Sequence, residues 1–312
     1  MFEGTLPQAI SELQILEPSE YYTLPDYQLN QHIYFFDGVK EIVYLNQFYE
    51  ALWITCIGGI RTIQQPCFTK VFCFYVYNYV NKPNNYIFDK LSTYGISFNS
   101  VFEEFDQVYE YVTSVKDLSV DYVLGLSQRV EYEKIESIQS FTNQMMLYLE
   151  ALIVNRYLNH VGGVESIVVS DGPLSKFNKI PKMENTLTLV GLVKQVEKNY
   201  LANLGNEYLY NLPFSKRTAS FLIKYGNIHV ISFYLNLGLY SPKIIRLEIL
   251  KGSDEKIHQD IQRLERVANV VLKLSVGPRI YHRMPENNLA LNTLEKYLKK
   301  YIPHQTIFSY VF

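Results

Sequence analysis

The fold is decided by the stretch Ser166-Ile167-Val168-Val169-Ser170-Asp171-Gly172-Pro173-Leu174. Residues 167–170 are mostly apolar and β-branched, which predicts a short strand that is buried on both faces. The strand ends on Asp171, and the Gly-Pro pair after it favours a turn, because glycine tolerates positive φ and proline fixes its own φ. We therefore expect Asp171 at the carboxyl edge of a buried strand, where ligands bind in open α/β sheets. The alternative is that Asp171 only shapes the turn.

A second strand of the same kind lies upstream. It reads His32-Ile33-Tyr34-Phe35-Phe36-Asp37-Gly38, an apolar and aromatic run that again ends in Asp-Gly. Two buried strands of this kind can bring Asp37 and Asp171 together at one edge of a sheet. Neighbouring carboxylates repel each other unless a cation or a shared proton lies between them. Because hard oxygen ligands select Mg²⁺ or Mn²⁺, the pair predicts a divalent metal site.

Composition indicates a soluble globular protein. The chain has 312 residues, of which 48% are hydrophobic and 19% are charged, and such values are ordinary for a folded domain. No uncharged apolar run reaches about 18 residues, so no transmembrane helix is predicted. The first residues lack the basic and apolar regions of a signal peptide. The three cysteines have no zinc-type spacing, so we expect reduced thiols and a cytoplasmic location without membrane association.

Charge is distributed unevenly along the chain. Residues 172–251 carry 11 Lys and Arg against 4 Asp and Glu, whereas residues 1–171 carry 9 against 21. A basic segment directly after a candidate metal carboxylate predicts a substrate that bears phosphate. The residues we assign to DNA binding on this basis are Lys176, Lys194, Lys216 and Arg217. The alternative is a solvated face whose lysines contact nothing specific.

The order of elements predicts one α/β domain over residues 1–312, with an irregular lead-in at 1–31. Three consecutive apolar runs between 32 and 80 read as antiparallel strands, and a long helix is predicted over 126–159. Later strands are predicted at 186–193, 218–224, 228–237 and 243–250, and closing helices at about 253–273 and 287–301. The predicted fold is therefore a mixed sheet flanked by helices, with additional strands and C-terminal helices.

Glu150 lies in the last turns of the long predicted helix. Its neighbours Leu147, Leu149, Ala151 and Leu152 are apolar, and a glutamate buried among them would need a partner. The alternative is that Glu150 is exposed on a solvated face. The sequence leaves both readings open.

The set Asp37, Glu150 and Asp171, carried by a strand, a helix and a later strand, resembles a ribonuclease H-like metal site. Together with the Asp-Gly-Pro-Leu turn, it also resembles the NurA nuclease family over about residues 32–300. The matching positions in this sequence are Asp37-Gly38, Glu150, Asp171-Gly172-Pro173-Leu174, Lys194, Arg246-Leu247-Glu248 and His282. The resemblance implies that Asp37, Glu150 and Asp171 hold the metal, and that His282 joins these three as a catalytic residue.

The same resemblance implies an activity and partners. It implies a DNA nuclease that depends on Mn²⁺ or Mg²⁺ and acts as a 5′→3′ exonuclease and single-strand endonuclease in DNA end resection and repair. It further implies a homodimer that docks on a HerA-type hexameric translocase, and an archaeal or archaeal-virus origin.

Three other readings remain open. A protein of the same ribonuclease H-like fold could bind DNA or a partner without cleaving it. A different ribonuclease H-like nuclease would need a further late carboxylate, for which Glu248 and Asp260 are available. In an unrelated α/β binding protein, both Asp-Gly pairs would be turns only.

Overall fold

A computed structural model describes most of the chain outside its centre and its two ends. The described residues are 13–26, 32–46, 50–61, 66–77, 142–155 without 144, 145, 148 and 152, 166–177, 188–226 without 195, 197 and 198, 228–239, 242–275 and 289–302. Much of the predicted long helix, His282 and the segment around it lie outside these ranges.

Strands dominate the described residues. The strands are β1 (Leu13–Ile15), β2 (Tyr22–Thr23), β3 (His32–Asn46), β4 (Glu50–Arg61), β5 (Pro66–Tyr77), β6 (Ser166–Asp171), β7 (Thr188–Val193), β8 (Lys216–Arg217), β9 (Phe221–Tyr225), β10 (Ile228–Asn236) and β11 (Ile244–Leu250). The α-helices with complete bounds are α1 (Asn206–Tyr210), α2 (Ile257–Leu274) and α3 (Leu289–Leu298). Short 3-10 helices occupy Leu174–Phe177, Ala202–Leu204, Asp254–Lys256 and Lys299–Tyr301.

The chain divides into two compact units. The first comprises Met1–Asp37, Gly59–Cys67 and Val154–Leu294, and the second comprises Gly38–Gly58, Phe68–Ile153 and Glu295–Phe312. Each unit is described by itself below. That residues 1–312 form a single nuclease domain stays a prediction.

The first unit contains a large mixed sheet that is mostly antiparallel. Its strand order is β1-β9-β10-β11-β7-β6-β3. The central strand β6 pairs in parallel with β3 on one side and with β7 on the other, whereas β7, β11, β10, β9 and β1 pair antiparallel in succession. β6 is buried from Ile167 to Ser170, as its continuous apolar run predicts.

Helix α2 covers part of this sheet through one apolar face. Its buried residues recur at the spacing of an amphipathic helix, and the helix contacts β7, β10 and β11. Those buried residues include Ile261, Leu264, Val267, Ala268, Val271 and Leu274. The helix predicted over 253–273 is therefore confirmed, with its first turn formed as a 3-10 helix.

In the second unit, β3, β4 and β5 lie side by side in that order. Trp53 and Ile57 of β4 are buried, and the Thr55 hydroxyl donates a hydrogen bond to the Val39 carbonyl oxygen at 3.0 Å. Cys56 is a free, buried thiol, and burial raises the pKa of Cys56 to about 12. The described residues between 142 and 155 that belong to this unit are helical, in agreement with the predicted helix there.

The prediction of an irregular lead-in is wrong in part. Residues 13–15 form β1, which pairs with β9, and residues 22–23 form β2, which pairs with β8. These strands are too short to give a periodic signal, and their partners lie about 200 residues later in the chain. In the described part of the chain, no helix is long and apolar enough to cross a membrane.

Candidate functional site

Asp37 and Asp171 stand at matching positions on adjacent parallel strands of the first unit. The pairing of β3 with β6 aligns Phe36 with Ser170, so each aspartate follows its aligned neighbour by one residue. Paired strands lie about 5 Å apart, and aligned residues of a parallel pair share one face. Asp37 is 8% exposed and the Asp171 side chain is 28% exposed. The structure thus brings these two predicted residues together.

Lys194 forms an ion pair with Asp171. Its Nζ lies 3.1 Å from Asp171 Oδ1, and the Lys194 side chain is 17% exposed. Asp171 Oδ1 is buried, and among the described residues none donates a hydrogen bond of good geometry to it. The ion pair therefore supplies positive charge to this oxygen without a hydrogen bond of good geometry.

The turn after Asp171 is formed as the Asp-Gly-Pro-Leu sequence predicts. Gly172 has φ of 82°, which glycine adopts without strain, and its N–H donates to the Leu192 carbonyl oxygen at 2.9 Å. Lys176 is 7% exposed, and its ammonium group donates to the Asp171 carbonyl oxygen. The ammonium group supports the turn through this partly buried contact, and the predicted phosphate contact of Lys176 stays a prediction.

Glu248 of β11 contacts the same turn. It is fully buried, its Oε2 accepts the Leu174 N–H at 2.8 Å, and its Oε1 accepts the Tyr225 hydroxyl at 2.9 Å. Arg246 Nη2 pairs with Glu248 Oε1 at 2.8 Å. Burial opposes the charge on Arg246, but the adjacent Glu248 outweighs it and raises the pKa of Arg246. Burial, and then Glu248, raise the pKa of Tyr225.

These contacts concern the alternative in which Glu248 or Asp260 is a catalytic carboxylate. Both oxygens of Glu248 are engaged by protein donors. Asp260 is engaged as well, since its Oδ2 accepts the Gly252 N–H at 2.9 Å and its Oδ1 lies 3.3 Å from Arg263 Nη1. These contacts give both residues a structural role.

Glu150 belongs to the second unit, where it lies against Gly38. A Cβ atom at Gly38 would come 2.8 Å from Glu150 Oε1 and 2.9 Å from Met146 Cε, so a side chain there would require the ends of these two side chains to shift. Glu150 is buried, which decides between the two readings that the sequence left open. In sequence, Gly38 directly follows Asp37.

Arg217 lies in the first unit and is a structural residue. It is 2% exposed, and it pairs with Glu17 at 2.6 Å and with Glu265 at 2.8 Å. Its guanidinium group also lies over the rings of Tyr22 and Phe233. The expectation that Arg217 contacts DNA is corrected, because two carboxylates neutralise its charge and the fold covers it. Neighbouring Lys216 is only half-buried and donates to the Thr23 hydroxyl.

The described residues contain no larger set of possible metal ligands. Within the described ranges, no three His, Cys, Asp or Glu side chains converge as a group that could hold a metal ion. The predicted catalytic residue His282 lies outside the described residues. The three-carboxylate set and the role of His282 therefore stay predictions.

Several important residues gave little signal in the sequence. Glu17 and Glu265 neutralise Arg217 from elements far away in the chain, and no local pattern marks them. Gly191 faces the Asp171 turn, where a Cβ atom would come 2.9 Å from the Gly172 carbonyl oxygen. Glu248 did have a signal, since the Arg-x-Glu spacing places Arg246 and Glu248 on one face of a strand.

Comparison with known proteins adds one structural likeness. No family model matches the sequence, and no curated protein matches it. Among solved structures, one similar chain is described as the NurA nuclease from Sulfolobus solfataricus, which is 10% identical. The alignment covers 91% of this chain and 88% of that one, with a TM-score of 0.39. A score of this size does not establish a common fold, so the site stands on its own geometry.

Proposed function

We propose that this protein is a divalent-metal-dependent DNA nuclease with Asp37 and Asp171 in its metal site. The observation that carries the proposal is the parallel register of β3 and β6, which sets the two aspartates on adjacent strands and on one face. Two carboxylates on adjacent strands and on one face repel each other, and a cation between them stabilises the pair.

The donor set fits Mg²⁺ or Mn²⁺. Mg²⁺ is commonly held by one or two carboxylates, with waters and substrate phosphates completing its coordination. Asp37 and Asp171 are the residues that would hold the ion. When bound, such an ion activates water and neutralises charge on the phosphodiester.

The protein's own residues have distinct parts in this proposal. Asp37 and Asp171 bind the cation, and the Asp-Gly-Pro-Leu turn orients Asp171. Lys194 balances the charge of Asp171 through their 3.1 Å contact and is close enough to the site to meet a substrate phosphate. Lys216, which is half-buried in β8, is a second candidate phosphate contact.

Finer features of the proposal rest on the resemblance of the sequence motifs to those of the NurA family. They are Glu150 as a third metal ligand, His282 as a catalytic residue, 5′→3′ exonuclease and single-strand endonuclease activity, and a role in DNA end resection. A homodimer and a HerA-type translocase as partners belong to the same set. The ribonuclease H-like assignment is supported by a first and a later strand that run side by side in parallel and both lead to aspartate.

The first prediction tests the metal site. Asp171→Asn and Asp37→Asn should each lower Mn²⁺-dependent cleavage by at least about 100-fold, because several kcal/mol of charge stabilisation is lost. Cleavage of end-labelled single- and double-stranded DNA with Mn²⁺, and with EDTA, measures this. Without metal, the melting temperature of each variant should hold or rise, since carboxylate repulsion is relieved.

Asp254→Asn is the matched control. It removes the same charge from an exposed aspartate that pairs only weakly with Lys251 at the surface, so its activity should equal that of the wild type. Full activity of Asp171→Asn would refute the proposed site.

A second candidate function is binding of DNA without cleavage. The observation that favours it is the Lys194–Asp171 ion pair, which already supplies one positive charge to the site. In that case DNA binding would be the same with Mn²⁺ and with EDTA, and no cleavage would occur with either strand end labelled.

A further inference from the structure

The turn that carries Asp171 is bound to two neighbouring strands through its main chain. The Gly172 N–H donates to the Leu192 carbonyl oxygen of β7 at 2.9 Å, and the Leu174 N–H donates to Glu248 Oε2 of β11 at 2.8 Å. Leu174 is fully buried. The backbone on the far side of Asp171 is therefore fixed at two points.

Glu248 lies at a costly position for a carboxylate. It is fully buried in the middle of a strand, where an ionised group is unstable unless it is paired and hydrogen-bonded. Arg246 and Tyr225 satisfy one of its oxygens, and the other is satisfied by the Leu174 N–H. The charged group thus provides an acceptor to the one loop that follows the candidate metal ligand.

Gly191 leaves the space that this turn occupies. It is aligned with Ser170 on one side and with Glu248 on the other, so the three residues form one row across the sheet. A Cβ atom at Gly191 would come 2.9 Å from the Gly172 carbonyl oxygen and 3.0 Å from Leu174 Cγ. Any side chain there would push the turn away from β7. By strand alternation this row faces away from the Asp171 side chain.

We infer that Glu248 and Gly191 are positioning residues for Asp171, an inference that rests on the proposed function of Asp171 as a metal ligand. Glu248 holds the turn toward β11, and Gly191 lets it lie against β7. Together they set the backbone from which the Asp171 carboxylate projects toward the cation. Neither residue contacts the metal or the substrate in this role.

The test compares Glu248→Gln and Gly191→Ala with the wild type in two measurements. The first is hydrogen exchange of the amides in residues 172–177, which reports on the turn itself. The second is the dissociation constant for Mn²⁺ alone, measured by titration calorimetry. We expect faster exchange in this segment and Mn²⁺ affinity lower by roughly 10–100-fold, as for other residues that orient metal ligands.

Asp260→Asn is the matched control, because Asp260 is also a buried carboxylate that accepts a backbone N–H, although its partner Gly252 is outside the turn. A general loss of stability would affect this variant as well, whereas exchange at 172–177 and Mn²⁺ affinity should stay at wild-type values. If Glu248→Gln does not fold, Gly191→Ala alone decides, since it leaves the Arg246–Glu248 pair intact.

The outcomes separate this inference from the proposed function. Unchanged exchange at 172–177 in the folded variants would overturn the positioning role, as would altered exchange with full Mn²⁺ affinity. If exchange rises but the wild type binds no Mn²⁺, the turn is held as inferred, and it is the proposed metal function that fails.

Discussion

Lys194 and Arg217 carry the same charge, and both are predicted to bind DNA, yet the structure places them in different surroundings. Lys194 is 17% exposed, and its Nζ lies 3.1 Å from Asp171 Oδ1. Arg217 is 2% exposed and meets two carboxylates, Glu17 and Glu265. Lys194 lies beside the candidate metal site, whereas two carboxylates of the protein balance the charge of Arg217.

The difference shows that some cations of a basic segment are available to a substrate, whereas others stabilise the fold. A cation with two carboxylate partners has no electrostatic reason to attract phosphate, and removing it would leave uncompensated charges at partly buried positions. A partly exposed cation at the end of a strand keeps a field toward the solvent. The net charge of the segment therefore overstates the number of residues available to DNA.

The Arg217→Met substitution tests this contrast and should have the largest effect, which is on stability. The substitution keeps an aliphatic side chain but leaves Glu17 and Glu265 without their cation, so the free energy of unfolding should fall by about 3–5 kcal/mol. Urea unfolding measures it. Lys216→Gln, at the half-buried neighbouring position, should change stability by less than about 0.5 kcal/mol. An Arg217→Met variant as stable as the wild type, with weakened DNA binding, would reverse the assignment.

Glu17→Gln should have a smaller effect that depends on pH. Burial alone would raise the pKa of Glu17, but hydrogen bonds from Arg217 and Ser220 outweigh it and hold this pKa below its ordinary 4.5. A carboxylate with a lowered folded pKa stabilises the fold above its unfolded pKa, and this contribution is lost as pH falls through the folded value. We expect a loss of about 1.5–3 kcal/mol at neutral pH.

The difference between Glu17→Gln and the wild type should then shrink as the pH falls below 4.5. Urea unfolding of both proteins at neutral and at acid pH measures it. An equal difference at both pH values would show that the charge of Glu17 does not contribute through Arg217.

The smallest effect on stability is expected for Lys194→Gln. An ion pair at this partly exposed position contributes about 0–1 kcal/mol, so the free energy of unfolding should hardly change. Binding of single-stranded DNA should weaken on all sequences, and its salt slope should fall by roughly 0.7. A fluorescence titration at several salt concentrations measures this, with Arg217→Met as the comparison. An unchanged slope would mean that Lys194 only balances Asp171.

Much of the fold followed from local patterns. The apolar runs before Asp37 and Asp171 lie in β3 and β6, but β3 continues through Asp37-Gly38 to Asn46, so the predicted strand end at Asp37 is wrong. The later strands and α2 lie close to their predicted bounds. The sequence predicted only that the two Asp-Gly strands can meet at one edge of a sheet. The structure shows that they pair in parallel, with Phe36 aligned with Ser170. The short strands in the lead-in were missed, because two or three residues give no periodicity.

Local sequence predicted most of the strands and the turn after Asp171, because alternation, β-branching and Gly-Pro turn chemistry act over neighbouring residues. It did not predict that Asp37-Gly38 lies within β3. The partners of each buried charged group, by contrast, depend on the tertiary structure. Arg217 meets Glu17 across 200 positions of sequence, and Glu248 meets the Leu174 N–H across 74. Pairs this distant leave no local trace, since the free energy of a buried charge depends on which groups the fold sets around it.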